Sequence, residues 1–193
     1  MNFFTADSHF STSDMSVLLR DYRPFNSLEE MNDEIIKIWN RQASEDDIIY
    51  HLGDFVNYNW IDMDYEPRLK FVQKIKAKIV LILGNNEKRI MKNEFDNDFE
   101  KFKKYLLELG FFDVFENELT VEIGENSFKL VHEPVNADKT SKYNLFGHIH
   151  RCVLVKRYGF NVGVDNHNYS LFSENDVLEL FGRFKSFDEN VYN

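Results

Sequence analysis

Residues 79–87 read Ile79-Val80-Leu81-Ile82-Leu83-Gly84-Asn85-Asn86-Glu87. Five large apolar side chains stop abruptly at a glycine, two amides and a carboxylate. A short β-branched run bounded by Gly and Asn predicts a buried strand. The polar residues behind it are of types that bind metal. The same grammar recurs along the chain: Asn2 to Ala6 runs into Asp7-Ser8-His9, Ile48 to Leu52 into Gly53-Asp54, Phe128 to Val131 into His132, and Tyr143 to Phe146 into Gly147-His148-Ile149-His150. In layered α/β folds, neighbouring strands aim the loops at their carboxyl ends toward one crevice, so blocks far apart in sequence can converge there.

Between these strands the period changes. Ser27 and Glu30 form a capping-box signature, and Met31, Ile35, Ile38 and Trp39 follow at helical spacing, predicting a helix from about 28 to 41. Residues 66 to 77 and 98 to 109 also read as helices, the second ended by Gly110 in a left-handed C′ position. From 111 onward Phe112 to Phe115, Leu119 to Ile123, Phe128 to Val131, Val153 to Lys156 and Phe160 to Val164 read as strands, with Gly124 and Gly159 at turns. This implies a second sheet. Ser173 with Asp176 starts a short C-terminal helix that Gly182 is expected to end.

A chain of 193 residues, 43% hydrophobic, has the size and apolar content of one folded domain spanning 1–193. The net charge of -10 repels polyanions and argues against binding long duplex nucleic acid. The single cysteine, Cys152, excludes an internal disulfide. No apolar run approaches the length of a membrane span, and residues 2 to 6 read as a strand rather than a signal, so a cytoplasmic location is expected.

The ordered blocks D-x-H, GD, GN, H and GHxH, running from residue 7 to residue 150, resemble the calcineurin-like metallophosphoesterase superfamily. Tyr22-Arg23-Pro24-Phe25 and Asn161-Val162-Gly163-Val164-Asp165 resemble its small bacterial and phage members. Where most members read GNH followed by Asp or Glu, this chain reads Gly84-Asn85-Asn86-Glu87. Pattern by itself gives α/β; the resemblance implies a four-layer α/β/β/α sandwich of two facing mixed sheets with helices outside. It also implies ligand sets: Asp7, His9, Asp54 and His150 for one metal; Asp54, Asn85, His132 and His148 for the other, with Asp54 as the bridge.

Two divalent ions about 3.5–4 Å apart clamp the attacking and leaving oxygens of a displacement at phosphorus. Mixed carboxylate, imidazole and amide ligands suit Mn²⁺, Fe or Zn²⁺, with Mn²⁺ the first choice. A hydroxide held between the ions would be the nucleophile. In the family the histidine after the metal-binding Asn is usually assigned to protonating the leaving oxygen or orienting the phosphate. Asn86 cannot be that acid, because a carboxamide neither gains nor releases a proton near neutrality. General acid assistance is worth about 10²–10⁴ in rate, so the expected substrates have acidic leaving groups, with phosphodiesters favoured over alkyl monoesters. His167 is the candidate replacement acid, and Arg23 and Arg89 are candidates for holding the substrate phosphate.

Each block alone has an ordinary explanation, since Gly-Asp is commonly a turn and Asp7 suits a helix cap. Five in family order at strand ends do not. His51, inside an apolar run, reads as a packed histidine behind the site rather than a ligand. Asp62-Met63-Asp64 and Asp96-Asn97-Asp98 lack the glycine of a calcium loop and read as solvated faces. The expected function is hydrolysis of a small phosphate ester or nucleotide by a two-metal phosphoesterase. Two alternatives stand beside it: a metal-binding interaction module without turnover, and a nuclease acting on short single strands.

Overall fold

The computed structural model describes residues 1–11, 23–58 and 64–191, with side chains through 183. Tyr22, Asp62 and Met63 therefore lie outside the described residues. The strands are β1 (Asn2–Thr5), β2 (Ile48–His51), β3 (Lys78–Ile82), β4 (Asp113–Phe115), β5 (Glu118–Ile123), β6 (Asn126–Val131), β7 (Asn144–Phe146), β8 (Val155–Lys156), β9 (Gly159–Asn161) and β10 (Phe172–Ser173). They form two mixed five-stranded sheets, ordered β10-β1-β2-β3-β4 and β5-β6-β7-β9-β8. β1 to β4 run parallel, as do β6, β7 and β9, while β10, β5 and β8 pair antiparallel at the margins.

Alternation along the strands sorts side chains into layers. Phe4, Ala6, Leu52 and Ile82 of the first sheet meet Ile123, Phe128, Leu130, Leu145 and Phe160 of the second in one buried cluster. Burying a side chain the size of Phe contributes about 1.5–3 kcal/mol, so the inter-sheet layer is a principal source of stability. Phe3, Ile49, Ile79 and Leu81 point the other way, into a cluster with the helices α1 (Leu28–Gln42), α3 (Asn85–Glu94) and α4 (Phe99–Leu109). The second sheet's outer face carries a small cluster, Val131, Ala137 and Phe146, partly covered by Ile149 and Tyr158. The four layers are present, and the outermost one there is thin. No described helix is long and apolar enough to cross a membrane.

The helix ends follow the sequence. Ser27 Oγ accepts from Glu30 N at 3.1 Å, and the Glu30 carboxylate accepts from Asn26 N, one residue upstream of the cap. Gly110 ends α4 with φ 116°, a left-handed conformation in which glycine has no Cβ penalty.

Three expectations are corrected. The helix of 66 to 77 is a single turn, α2 (Glu66–Leu69), followed by a 3₁₀ segment Lys70–Lys74. Asn40 accepts from Lys76 N and donates to Lys74 O, which pulls the end tight before β3. Gly159 does close the turn from β8 into β9, and a Cβ there would lie 2.5 Å from the Asn144 carbonyl oxygen. The strand of 160 to 164 ends at Asn161 because the chain leaves one sheet for the other: Val162 N donates to Phe146 O, and Val164 N to Ala6 O. Gly182 does not end α5 (Glu174–Val191). A glycine inside a helix costs only about 1 kcal/mol.

Candidate metal centre

The carboxyl ends of β1, β2 and β3 and those of β6 and β7 open on the same side, and all five ligand blocks meet there. Asp7, His9 and His150 form one group, and Asp54, His132 and His148 another; within each, the donor atoms lie within 4.8 Å of one another. Asp54 Oδ2 stands 3.7 Å from His9 Nε2 and 3.6 Å from His132 Nε2, one oxygen facing both groups. Asn85 Oδ1 lies 3.0 Å from His132 Nε2 and 3.0 Å from His148 Nδ1.

The backbone is bent to make this possible. Nine described non-glycine residues have positive φ, and five are Asp7 (59°), His9 (51°), Asp54 (53°), His148 (71°) and His150 (46°). An L-residue there costs on the order of 1 kcal/mol. Strain of this kind concentrates at functional sites held by their surroundings. The surroundings are specific: Asp7 N donates to Gly53 O and His9 N to Asp54 O, each at 3.0 Å, so the two turns run side by side. A Cβ on Gly84 would lie 2.3 Å from Asp54 N and Oδ1, so only glycine lets the third turn close on them.

Proton positions bear on whether a cation fits. His132 Nδ1 donates to Leu52 O at 2.7 Å, so in the neutral ring Nε2 carries a lone pair. Burial holds this imidazole neutral, with its pKa down at about 4. Its lone pair therefore faces the Asn85 oxygen and the Asp54 carboxylate. Converging lone pairs repel unless a cation lies among them. His9 is also kept neutral, by burial and then by His150, and its Nε2 is buried without a hydrogen-bond partner. Burial first, and Asp54 next, push the Asp7 carboxyl well above the usual range; burial pushes Asp54 up to about 6. A divalent ion beside them would favour their charged forms. The donor set fits such an ion on both sides of Asp54.

Asn86 is buried; its N–H donates to Asp54 Oδ1 at 2.9 Å, and its amide lies 3.4 Å from His9 Nδ1. Arg89, exposed one turn further along α3, adds to the influences that oppose the burial effect on Asp54. Two expected site residues are placed otherwise. Arg23 is not presented to a substrate phosphate: its buried guanidinium pairs with Asp165 and donates to the Asp7 and Ser8 carbonyls. His167, the expected acid, stacks its ring on Phe172 at 4.0 Å, in a pocket lined by Leu154, Phe160 and Leu180 and also by Asp176, Glu179 and Arg183. Phe172 belongs to β10 at the margin of the first sheet, so the ring is held against that edge.

Sequence reasoning missed two supports. Glu87, fully buried, accepts from Asp54 N and Gly84 N, both at 2.9 Å, and from Val56 N at 3.2 Å. Its spacing of three from the helix-capping Gly84 was the available signal. Burial, with Asp54 next, raises its pKa to about 7. Asp165 accepts from His150 Nδ1 at 2.7 Å. His51 lies behind the site as expected, donating to Ser8 Oγ at 2.9 Å while Ser8 donates to Phe55 O.

Compared with known families, residues 3–184 match the calcineurin-like phosphoesterases, and the chain belongs to that family of phosphohydrolases. Uncharacterized protein MJ1445 of Methanocaldococcus jannaschii is 26% identical, over 95% of this chain and 92% of its own length. The crystal structure of AQ665, a protein of unknown function from Aquifex aeolicus, has the same fold, with a TM-score of 0.65 at 20% identity, covering 93% of this chain and 98% of its own. A solved archaeal phosphodiesterase aligns with a TM-score of 0.47 at 19% identity, over 84% of this chain and 81% of its own.

Proposed function

We propose that this phosphoesterase works with two divalent ions and hydrolyses small phosphodiesters in preference to alkyl monoesters. The observation that carries the two-ion reading is the position of Asp54 Oδ2, within 3.7 Å of a histidine from each ligand group. Asp7, His9 and His150 would hold one ion; Asn85, His132 and His148 the other; Asp54 would serve both. When bound, such ions supply charge neutralisation at the phosphoryl group and acidify water. Mn²⁺ suits the mixed N and O donors, as do Fe and Zn²⁺.

The preference for diesters is supported by where the histidines stand. Of the six in the chain, His9, His132, His148 and His150 are directed to the ligand groups, His51 is locked behind Ser8, and His167 is stacked on Phe172. None is left to protonate a leaving alkoxide. Asn86 has an amide that can hydrogen-bond a phosphoryl oxygen and has no proton to give. Arg89, exposed on α3, would meet the charge of a bound phosphate. Substrates whose leaving group departs as a stable anion need no acid and should react fastest.

The test is Mn²⁺-dependent hydrolysis of bis(p-nitrophenyl) phosphate, p-nitrophenyl phosphate and glycerol phosphate by the purified protein, with Asp54→Asn as control. The expected result is turnover of the diester, lost in the control, with glycerol phosphate slowest. A faster rate on glycerol phosphate than on the diester would overturn the role given to Asn86. Two bound metals with no hydrolysis of any ester would favour an interaction module instead.

A further inference from the structure

Arg23 and Asp165 lie 142 positions apart and meet inside the protein with side chains 0% and 3% exposed. Arg23 Nε donates to Asp165 Oδ1 at 2.9 Å and Nη2 to Oδ2 at 3.1 Å, a two-point pairing that fixes both groups. The guanidinium then reaches into the first ligand turn, with Nη2 donating to Asp7 O at 2.6 Å and Nη1 to Ser8 O at 2.7 Å. On its other side Asp165 Oδ2 accepts from His150 Nδ1 at 2.7 Å. Two-point pairing with a guanidinium favours the charged form of the Asp165 carboxyl. It is therefore a carboxylate, an acceptor only.

A buried ion pair adds little net stability, because removing water from both charges offsets their attraction. What this pair supplies is geometry. We propose that Arg23 and Asp165 are positioning residues for the half of the metal centre made by Asp7, His9 and His150. The inference rests on the metal-centre reading above. Asp165 keeps the His150 proton on Nδ1, so that Nε2 offers its lone pair to the ion, and outer carboxylates of this kind also raise imidazole basicity. Arg23 pins the carbonyls of Asp7 and Ser8, which locks the turn where Asp7 and His9 hold φ values of 59° and 51°. Neither residue touches the ion; both act through ligands. In the half made by His132 and His148, Leu52 O orients His132 instead.

The first measurement needs no metal: long-range ¹⁵N–¹H NMR of the imidazoles in the metal-free full chain, with His150 assigned by comparison with His150→Gln. The proposal requires the Nδ1-protonated tautomer; a proton on Nε2 would overturn it. The second is calorimetric titration with Mn²⁺. Asp165→Asn alone strands the Arg23 charge in the interior, so Arg23→Met with Asp165→Asn is made beside it. One of the two affinities is expected to weaken by about 10–100-fold, with the other unchanged. Equal weakening of both, or of neither, would show a merely structural pair. Should the variants fail to fold, the wild-type tautomer still decides. Wild-type protein that binds no Mn²⁺ would overturn the metal reading and the proposal with it, and the NMR spectrum separates that failure from one of the pair alone.

Discussion

On one side of Asp54 stand Asp7, His9 and His150; on the other stand Asn85, His132 and His148. The first side is tied down by charge brought from far along the chain, since Arg23 and Asp165 grip both the Asp7 turn and His150. The second is tied down without such an ion pair: the Leu52 carbonyl orients His132, and the Glu87 side chain collects the N–H groups of Asp54 and Gly84. Burial differs too, because His148 is exposed whereas Asp7 and His9 are enclosed. A pair of ion sites that look alike as lists of ligands is therefore held by two kinds of force, and each should fail in its own way.

The largest expected effect ignores the difference. Asp54→Asn removes the charge shared by both sides, and diester turnover should fall at least about 10³-fold, the scale of losing several kcal/mol of transition-state stabilisation. A variant that keeps one tight Mn²⁺ affinity and most of its rate would show that the sides are independent and that Asp54 is no bridge. Next is Asn86→His, which adds an acid beside His9; hydrolysis of glycerol phosphate should rise by about 10²-fold while the activated diester changes little. An equal gain on both substrates would point to phosphate binding instead of proton donation. Glu87→Gln loosens the shared Asp54 turn and also the Gly84 turn that carries Asn85, so it should weaken the second side more than the first, by about 10–100-fold in affinity. Equal loss on both sides in a titration would erase the distinction drawn here.

The smallest effect is one of stability. His51 supports the first side through Ser8, and burial lowers its pKa to about 3, against 6.5 for the free side chain. The unfolded chain therefore takes up a proton first. This group's contribution is fully present above pH 6.5 and is lost progressively as the pH falls toward 3. Relative to His51→Gln, the wild type should lose on the order of 2 kcal/mol between pH 7.5 and pH 5. Parallel melting curves at the two pH values would remove His51 from the account.

What could be read in the sequence follows the same division. Strand runs such as 79–83 and the residues after them are local patterns, so the sheets and the ligand blocks were legible. The capping of Gly84 by Glu87 is local too. The Arg23–Asp165 pair is not, because nothing near either residue announces a partner 142 positions away, and Arg23 beside a proline was read as a phosphate contact. His167 was read as catalytic from its place in a polar loop, but Phe172, five residues on, offers it an apolar face. Local signals likewise overstated the helix at 66–77 and the stop at Gly182, where tertiary contacts and the small penalty of one glycine decided.

The first strand lies between the second and the last. β1 is flanked by β2 and by β10, and Ala6, just before Asp7, receives the N–H of Val164. A chain emerging from the ribosome thus makes β1 at the outset and cannot complete its pairing until residue 173 has been added. Through most of synthesis, one edge of β1 waits without its partner, and the Asp7 turn has Gly53 and Arg23 but lacks His148. Such long-range closure makes for slow folding and leaves a strand edge open to wrong pairing. The half of the centre that begins the sequence is, in the order of assembly, the last to be finished.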